Sequence, residues 1–274
     1  MTIGPDGRRA TLTRNPQDEA IVLTHEFSMS ESSTRVREDE VEVRKPRATP
    51  LQTPSYLTQY YWWAYAHPRA VRVFERDWLI NAILWGNYDR LRRHALEALG
   101  PDYSGRTLQV ACVYGDFTRQ LLDHIALDDG SLDVVDALPV QIENLKRKLG
   151  PERRARPQLM DSASLEFADE TFDRVTMFML LHEMPSTWRR RTLAEVARTL
   201  KPGGRLVMMD YAKPNALHPL RYLFQPVLRA LEPFALDLWR EPLETFYAGL
   251  PLKAAAPRRT FFGGLYQLVV LEKV

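Results

Sequence analysis

Hydrophobic positions along the chain fall into two regimes that meet near Tyr56. Residues 1–55 mix both charge signs with Pro5, Pro16, Pro46 and Pro50 and carry no sustained apolar period, which predicts a disordered tail outside the folded part. The chain then turns aromatic. Tyr60-Tyr61-Trp62-Trp63-Ala64-Tyr65 is followed by Val71, Phe74, Trp78, Leu79, Ile83, Leu84 and Trp85. From Pro68 the apolar residues recur at three- and four-residue spacing, predicting one or two amphipathic helices in an aromatic-rich extension over 56–100. Such helices either pack their stripe on a core, or offer Trp and Tyr to a flat apolar ligand or a membrane surface.

Beyond Thr107 the period alternates between strand and helix, through a main domain over 101–274. Leu108–Val113 reads as a strand, Phe117–Leu127 as a helix, Ser131–Asp136 as a strand, and Pro139–Leu149 as a helix opened by its proline. Pro157–Met160 is a short strand and Phe172–Leu181 a long apolar run. Thr187–Leu200 is a helix that stops at Lys201-Pro202-Gly203-Gly204, and Arg205–Tyr211 is the next strand. An insertion over 212–257 precedes a terminal strand pair, Arg258–Phe262 and Leu265–Glu272, joined by Gly263-Gly264. Alternating βα units imply an α/β, Rossmann-like fold: a mostly parallel sheet covered on both faces, with an antiparallel edge.

Composition narrows the setting without naming a chemistry. The 274 residues hold 37 Lys+Arg against 35 Asp+Glu, a net charge of +2, which argues against nucleic acid as the main partner. The one cysteine, Cys112, excludes a disulfide framework and a Cys-rich zinc module and fits a reducing compartment. No uninterrupted apolar run reaches the roughly 18 residues of a bilayer span. The first residues lack the apolar stretch of a secretory signal, and Glu38-Asp39-Glu40 is unlike a transit peptide. The expectation is a soluble, cytoplasmic chain.

In open α/β sheets a ligand lies beyond the carboxyl ends of the strands, where the strand order reverses. The first strand runs into Gln109-Val110-Ala111-Cys112-Val113-Tyr114-Gly115-Asp116, where a glycine-rich turn belongs and only Gly115 remains. The second ends at Asp136-Ala137, about 20 residues further on, where an acid can accept hydrogen bonds from both ribose hydroxyls. The third ends in Asp161-Ser162, suited to a purine amino group. In this order the three segments favour a nucleoside-bearing cofactor.

This order resembles the class I S-adenosylmethionine (SAM) methyltransferases over roughly residues 85–274. Phe172-Asp173, the Pro202-Gly203-Gly204 turn and the terminal hairpin match that family's later motifs. The first motif departs, with Gln109 where an acid should stand and Ala111 and Val113 where glycines should. Val-Tyr-Gly-Asp at 113–116, Tyr-Tyr-Trp-Trp-Ala-Tyr-Ala-His-Pro at 60–68, Leu-Trp-Gly-Asn-Tyr at 84–88 and Leu-Leu-His-Glu-Met-Pro at 180–185 resemble the RquA family of rhodoquinone biosynthesis. That resemblance covers about 56–274. It implies a SAM methyltransferase-like fold that replaces one methoxy group of ubiquinone with an amino group, using SAM as amino donor assisted by divalent manganese. The cofactor-binding set it implies is Gln109, Ala111, Tyr114, Gly115, Asp136, Ala137, Asp161, Ser162 and Phe178.

The residue chemistry stands beside that implication. A first-motif carboxylate favours the ammonium form of SAM, because a nearby opposite charge raises an amine's pKa. An amine that attacks a quinone ring has to be neutral, and Gln109 removes that charge. The plainer reading of the same residues is a worn but working methyl-transfer site. Asp116 offers either a replacement carboxylate or a general base, and Tyr114 narrows the turn; with His182 these are the candidate catalytic residues. His182-Glu183 follows the fourth strand, as a metal-binding Glu-His does in ubiquinone O-methyltransferases, and Asp210 at the end of strand five is the candidate third ligand for manganese. In the alternative, His182 caps a strand and Glu183 is solvated.

The insertion 212–257 alternates Leu217, Leu220, Leu223, Phe224, Val227 and Leu231 with Arg221 and Arg229. It reads either as a buried helical lid or as an amphipathic cap at an anionic membrane surface, where a lipid quinone enters. The leading expectation is a SAM-dependent enzyme that converts ubiquinone to rhodoquinone, peripheral on the inner face of the membrane. The alternatives are an O- or C-methyltransferase acting on a quinone or other lipophilic ring, and a non-catalytic SAM-fold protein that binds quinone or a partner.

Overall fold

The computed structural model describes residues 53–61, 71, 73–232 and 234–274. Most of the tail over 1–55, the aromatic residues Trp62–Tyr65 and the segment around Pro68 lie outside the described residues. The extension supplies α1 (Ser55–Tyr60), α2 (Asp77–Ile83) and α3 (Tyr88–Ala98). The main domain then alternates β1 (Arg106–Val110), α4 (Phe117–Leu127), β2 (Ser131–Asp136), α5 (Pro139–Leu149), β3 (Ala155–Leu159), β4 (Phe172–Phe178), α6 (Ser186–Thr199) and β5 (Leu200–Tyr211). The insertion holds α7 (Arg221–Leu231), α8 (Asp237–Arg240) and α9 (Glu244–Tyr247), and the chain closes with β6 (Leu252–Ala254), β7 (Arg259–Phe261) and β8 (Tyr266–Lys273).

One sheet runs in the order β3-β2-β1-β4-β5-β8-β6, with β7 also paired to β8. The pairs among β1 to β5 are parallel, and β8 is antiparallel to β5, β6 and β7. Because helices cover both faces, β1 and β2 are buried almost end to end rather than on alternate residues. The strand order reverses between β1 and β4, and their carboxyl ends flank the crevice where such sheets bind ligands.

Several strand ends differ from the sequence expectation for local reasons. β1 stops at Val110 because Ala111 turns into the left-handed region, with φ of 73°. β4 stops at Phe178 because Met179 does the same, with φ of 53°, and a short 3-10 turn, Leu181–Glu183, follows. At the other end, the Pro202-Gly203-Gly204 segment belongs to the start of β5.

A buried arginine ties the insertion to the sheet. Arg189 on α6 is fully buried; its Nε donates to the Leu181 carbonyl at 2.7 Å and its Nη2 to the Phe234 carbonyl at 2.6 Å. Its guanidinium also lies 5.2 Å from the Phe246 ring centroid. Removing this buried donor takes one hydrogen bond from each carbonyl, which keep the Met184 and Asp237 N–H groups respectively, and opens a cavity. Arg189→Ala is expected to cost about 3–5 kcal/mol in urea denaturation; a loss below about 1 kcal/mol, the range of an ordinary surface substitution, would show that this contact does not hold the insertion in place.

Candidate active site

A cavity of about 400 Å³ opens at the carboxyl ends of β1 to β4. Its floor is the sheet, one side is the extension through Tyr56, Leu57, Phe74, Leu79 and Ile80, and another is the end of the insertion through Leu231 and Glu232. Most of this lining is apolar.

The turn after β1 keeps the shape of a glycine turn with little glycine in it. Ala111 holds the left-handed backbone that glycine adopts without strain, and for alanine this costs about 1–2 kcal/mol. Its N–H continues the ladder to the Val135 carbonyl at 2.8 Å. Gly115 cannot change, since a Cβ there would lie 2.6 Å from the Tyr88 hydroxyl. The Gly115 N–H donates to Glu75 at 3.2 Å, and Glu75 in turn pairs with Lys148 at 2.8 Å, so the extension clamps the turn from outside. Tyr114 projects into the cavity, stacked on Phe74 with centroids 5.8 Å apart, and its hydroxyl accepts from Gln141 at 2.8 Å.

Four residues of the expected set, Gln109, Gly115, Asp116 and Asp210, are absent from the cavity lining. Gln109 is fully buried inside β1 and is absent from the cavity wall that Val110 forms, as the two-residue alternation of a strand requires. Its Nε2 donates to the Ala111 carbonyl at 2.9 Å, and its Oε1 is buried without a hydrogen-bond partner among the described residues. Gln109 therefore braces the turn and does not line the cavity. Asp116, expected as a catalytic base, is held by Arg92 on α3, accepts from Gln120 at 2.7 Å and from the Tyr88 hydroxyl at 3.3 Å, and does not line the cavity. Its position before α4 points it at the extension.

Asp136, Ala137, Asp161, Ser162 and Phe178 all line the cavity. The Asp136 carboxylate accepts from the Cys112 N–H at 2.8 Å and the Leu138 N–H at 2.9 Å, which fixes it with lone pairs to spare for a ribose. Burial pushes its pKa up to about 6 against those hydrogen bonds. Asp161 closes a local turn on the Ala163 N–H at 2.9 Å. The Ser162 hydroxyl is bonded to Thr192 at 3.0 Å, so its side chain is already engaged. These positions fit a nucleoside: a fixed carboxylate at the end of β2 and apolar faces from Ala137, Met160 and Phe178 for a base.

The remaining polar wall belongs to His182, Glu183 and Glu232. Behind them, Asp210 is almost wholly buried at the end of β5. Its Oδ2 accepts from the N–H groups of Leu180 at 3.1 Å and Leu181 at 2.7 Å, and its Oδ1 accepts from the Tyr211 N–H at 2.7 Å and bonds His182 Nδ1 at 2.9 Å. Burial works against a charged His182, but the Asp210 carboxylate and its hydrogen bond, with Glu232 and Glu183, prevail and hold the imidazole pKa up at about 9. Asp210 is thus no metal ligand: both its oxygens are spent on backbone and imidazole. Among the described residues no group of three or more His, Cys, Asp or Glu side chains has the geometry to hold a metal ion, and the manganese expectation for His182, Glu183 and Asp210 is withdrawn.

Glu232 escaped the sequence reading, although one signal was there: it is the acid that follows an apolar amphipathic run, Leu228 to Leu231. Glu75 was equally unmarked, because its partners are distant in sequence, and Phe74 was marked only as part of the aromatic stripe.

The chain matches the family described as "Methyltransferase domain" over residues 107–204. It is 31% identical over 141 residues to the ubiquinone/menaquinone biosynthesis C-methyltransferase UbiE of Stutzerimonas stutzeri (strain A1501), covering 50% of this chain and 54% of that one. It is 33% identical over 177 residues to the demethylmenaquinone methyltransferase of Renibacterium salmoninarum, covering 64% of this chain and 70% of that one. The chain thus spans little more than half the length of the first of these relatives. Among solved structures, a SAM-dependent methyltransferase from Aquifex aeolicus superposes with a TM-score of 0.54 at 15% identity, over 76% of this chain and 99% of that one. A geranyl diphosphate methyltransferase in complex with SAM gives a TM-score of 0.51 at 14% identity, over 68% and 85% of the two chains.

Asp136 supplies the decisive test of the nucleoside site. Asp136→Asn is expected to weaken S-adenosylhomocysteine binding at least about tenfold by calorimetry, since hydrogen bonds to a charged group contribute about 1.5–3 kcal/mol. The wild-type affinity should also fall as pH drops through about 6, where the carboxylate is neutralised. An unchanged affinity in a variant that melts like the wild type would place the nucleoside elsewhere.

Proposed function

We propose that this chain, which has the class I SAM methyltransferase fold and belongs to the SAM-dependent methyltransferase family, modifies the ring of a lipid quinone and moves the amino group of SAM rather than its methyl group. The quinone is supported by relatives named for ubiquinone and menaquinone biosynthesis, and by a cavity that is apolar on most of its walls. Ubiquinone is the substrate of this reading and an aminated quinone the product.

Ile83 on α2 and Leu231 on α7 line the cavity and are exposed at once. Trp78 on α2 and Tyr222 and Leu223 on α7 are further exposed apolar residues, with Tyr222 80% exposed, and Arg221 and Arg229 lie on the same helix α7. No helix among the described residues is long and apolar enough to cross a membrane. A peripheral contact on an anionic inner leaflet lets a membrane-borne quinone enter without leaving the lipid.

The observation that carries amino transfer is the turn after β1. An uncharged Gln109 stands where the resemblance to methyltransferases calls for a carboxylate; its side chain is outside the cavity lining, so what it changes is the charge behind the turn and not a direct contact with the amine of SAM. A His182 imidazolium in the cavity lining favours the neutral, nucleophilic amine, against the pull of the Asp136, Glu183 and Glu232 carboxylates in the same lining. A second reading, methyl transfer to a quinone ring carbon, is favoured by the C-methyltransferase activity in the relatives' names. Gln109→Glu separates the two poorly, because it would press a carboxylate against the Ala111 carbonyl that Gln109 now bonds.

A labelling experiment separates them cleanly. The purified chain is incubated with SAM carrying heavy nitrogen in its amino group, and with either ubiquinone or a ring-demethylated quinone. The expected product comes from ubiquinone, is lighter than it, and carries the heavy nitrogen. A product heavier by one methylene and free of label, formed from the demethylated quinone, contradicts amino transfer and establishes the second reading.

A further inference from the structure

Glu232 ends α7, its N–H bonded to the Leu228 carbonyl at 2.7 Å, and its own carbonyl accepts from the Ala235 N–H at 3.0 Å. The backbone is therefore fixed on both sides while the side chain turns into the cavity beside His182 and Glu183. The Tyr61 hydroxyl faces its carboxyl group, and Glu232 Oε2 is buried without a direct hydrogen-bond partner among the described residues. An idle buried carboxyl oxygen costs roughly 1–3 kcal/mol, a cost that a bound ligand can relieve. Asp210 differs: all of its accepting capacity is committed to the protein.

We propose that Glu232 is a catalytic residue of this site, the carboxylate that takes the proton released when the quinone ring is substituted, with His182 as the group that protonates the departing oxygen. The assignment rests on the quinone-modification reading above. In the substitution a C–N bond forms at the ring carbon and the C–O bond to methoxy breaks, the oxygen keeping the electron pair. The nitrogen loses one proton to Glu232, and the methoxy oxygen gains one from His182 Nε2 and leaves as methanol. Passage of the Glu232 proton to His182 restores both groups and leaves the nitrogen bonded to both the ring and the SAM chain. Transfer of the Cα hydrogen and its electron pair into the quinone then gives the Cα=N imine of the hydroquinone. Water hydrolyses that imine to the aminohydroquinone and a 2-oxo acid, so the quinone itself is the oxidant and atoms and electrons balance. Burial raises the pKa of Glu232 against the pull of His182, and a carboxylate with a raised pKa is the stronger proton acceptor. The groups facing this pair are Tyr61 from the end of α1, Glu183 from the turn after β4, and Asp210 from β5.

The test compares the full chain with Glu232→Gln, Glu232→Asp and Glu232→Ala. Glu232→Gln is expected to lower kcat about 100-fold or more, the range of a lost general base, while calorimetric affinities for SAM and for a short-tail ubiquinone stay within roughly threefold. Glu232→Asp should recover part of the turnover, and formate should restore part of it to Glu232→Ala. Near wild-type turnover in Glu232→Gln overturns the assignment. So does a loss of kcat matched by equal losses of SAM and quinone affinity that Glu232→Asp fails to recover, the signature of a structural role. A wild-type chain that modifies no quinone refutes the functional reading itself, whereas an active wild type with an equally active Gln variant refutes the Glu232 assignment alone.

Discussion

The carboxylate of Asp210 is the point on which the site depends. It sits at the end of β5 and gathers the N–H groups of Leu180, Leu181 and Tyr211 together with the Nδ1 atom of His182. Those bonds close the turn that follows β4 and stitch the ends of two neighbouring strands. They also spend Nδ1, which leaves Nε2, 3.9 Å from Glu183 Oε1, as the other imidazole nitrogen of this cavity-lining residue. A buried carboxylate is costly unless its lone pairs are satisfied, and those of Asp210 are. The same arrangement that stabilises Asp210 therefore fixes both the position and the charge of His182.

Around that anchor the cavity is assembled from three parts of the chain. Strand ends contribute Asp136, Asp161 and Phe178; the extension contributes Tyr56, Phe74 and Ile80; the insertion contributes Leu231 and Glu232. Each added part is tied down by a buried or half-buried charge. Glu75 holds the extension to the Gly115 turn through Lys148, and Arg189 holds the insertion to the turn after β4. The left-handed residues Ala111 and Met179 end the two strands flanking the crevice, and both line it. Strain of this kind collects where a ligand needs the backbone close.

Much of the scaffold was legible in the sequence. The bounds of α4, β2 and α5 coincide with the predicted ones, because their apolar periods end at clear polar or proline signals. The acid at Asp136 was legible too, since its place at a strand end carries the chemistry. Gln109 and Asp116 misled for a shared reason: linear spacing says which strand end a residue occupies, not which way its side chain faces. The alternation of β1 turns Gln109 away from the cavity, and Arg92 on α3 draws Asp116 outward. Asp210 was placed at the site but in the wrong role, since the N–H groups that fill its lone pairs come from Leu180 and Leu181, remote in sequence. Glu232 was hidden in an apolar run whose register against the cavity only the folded chain reveals.

Asp210 is expected to hold the cavity-lining His182 as a charged imidazolium at neutral pH, and the titration of His182 reads this out. The measurement is the imidazole carbon-bound proton shift of His182 across pH 5 to 10 by NMR, assigned with His182→Gln. The account predicts a midpoint near pH 9. Because this lies above the ordinary histidine value of about 6.5, the stabilising pair is complete below that pH and is lost as pH rises through 9. A midpoint at or below about 6.5 would contradict the account, since burial would then outweigh Asp210 and the site would hold a neutral imidazole.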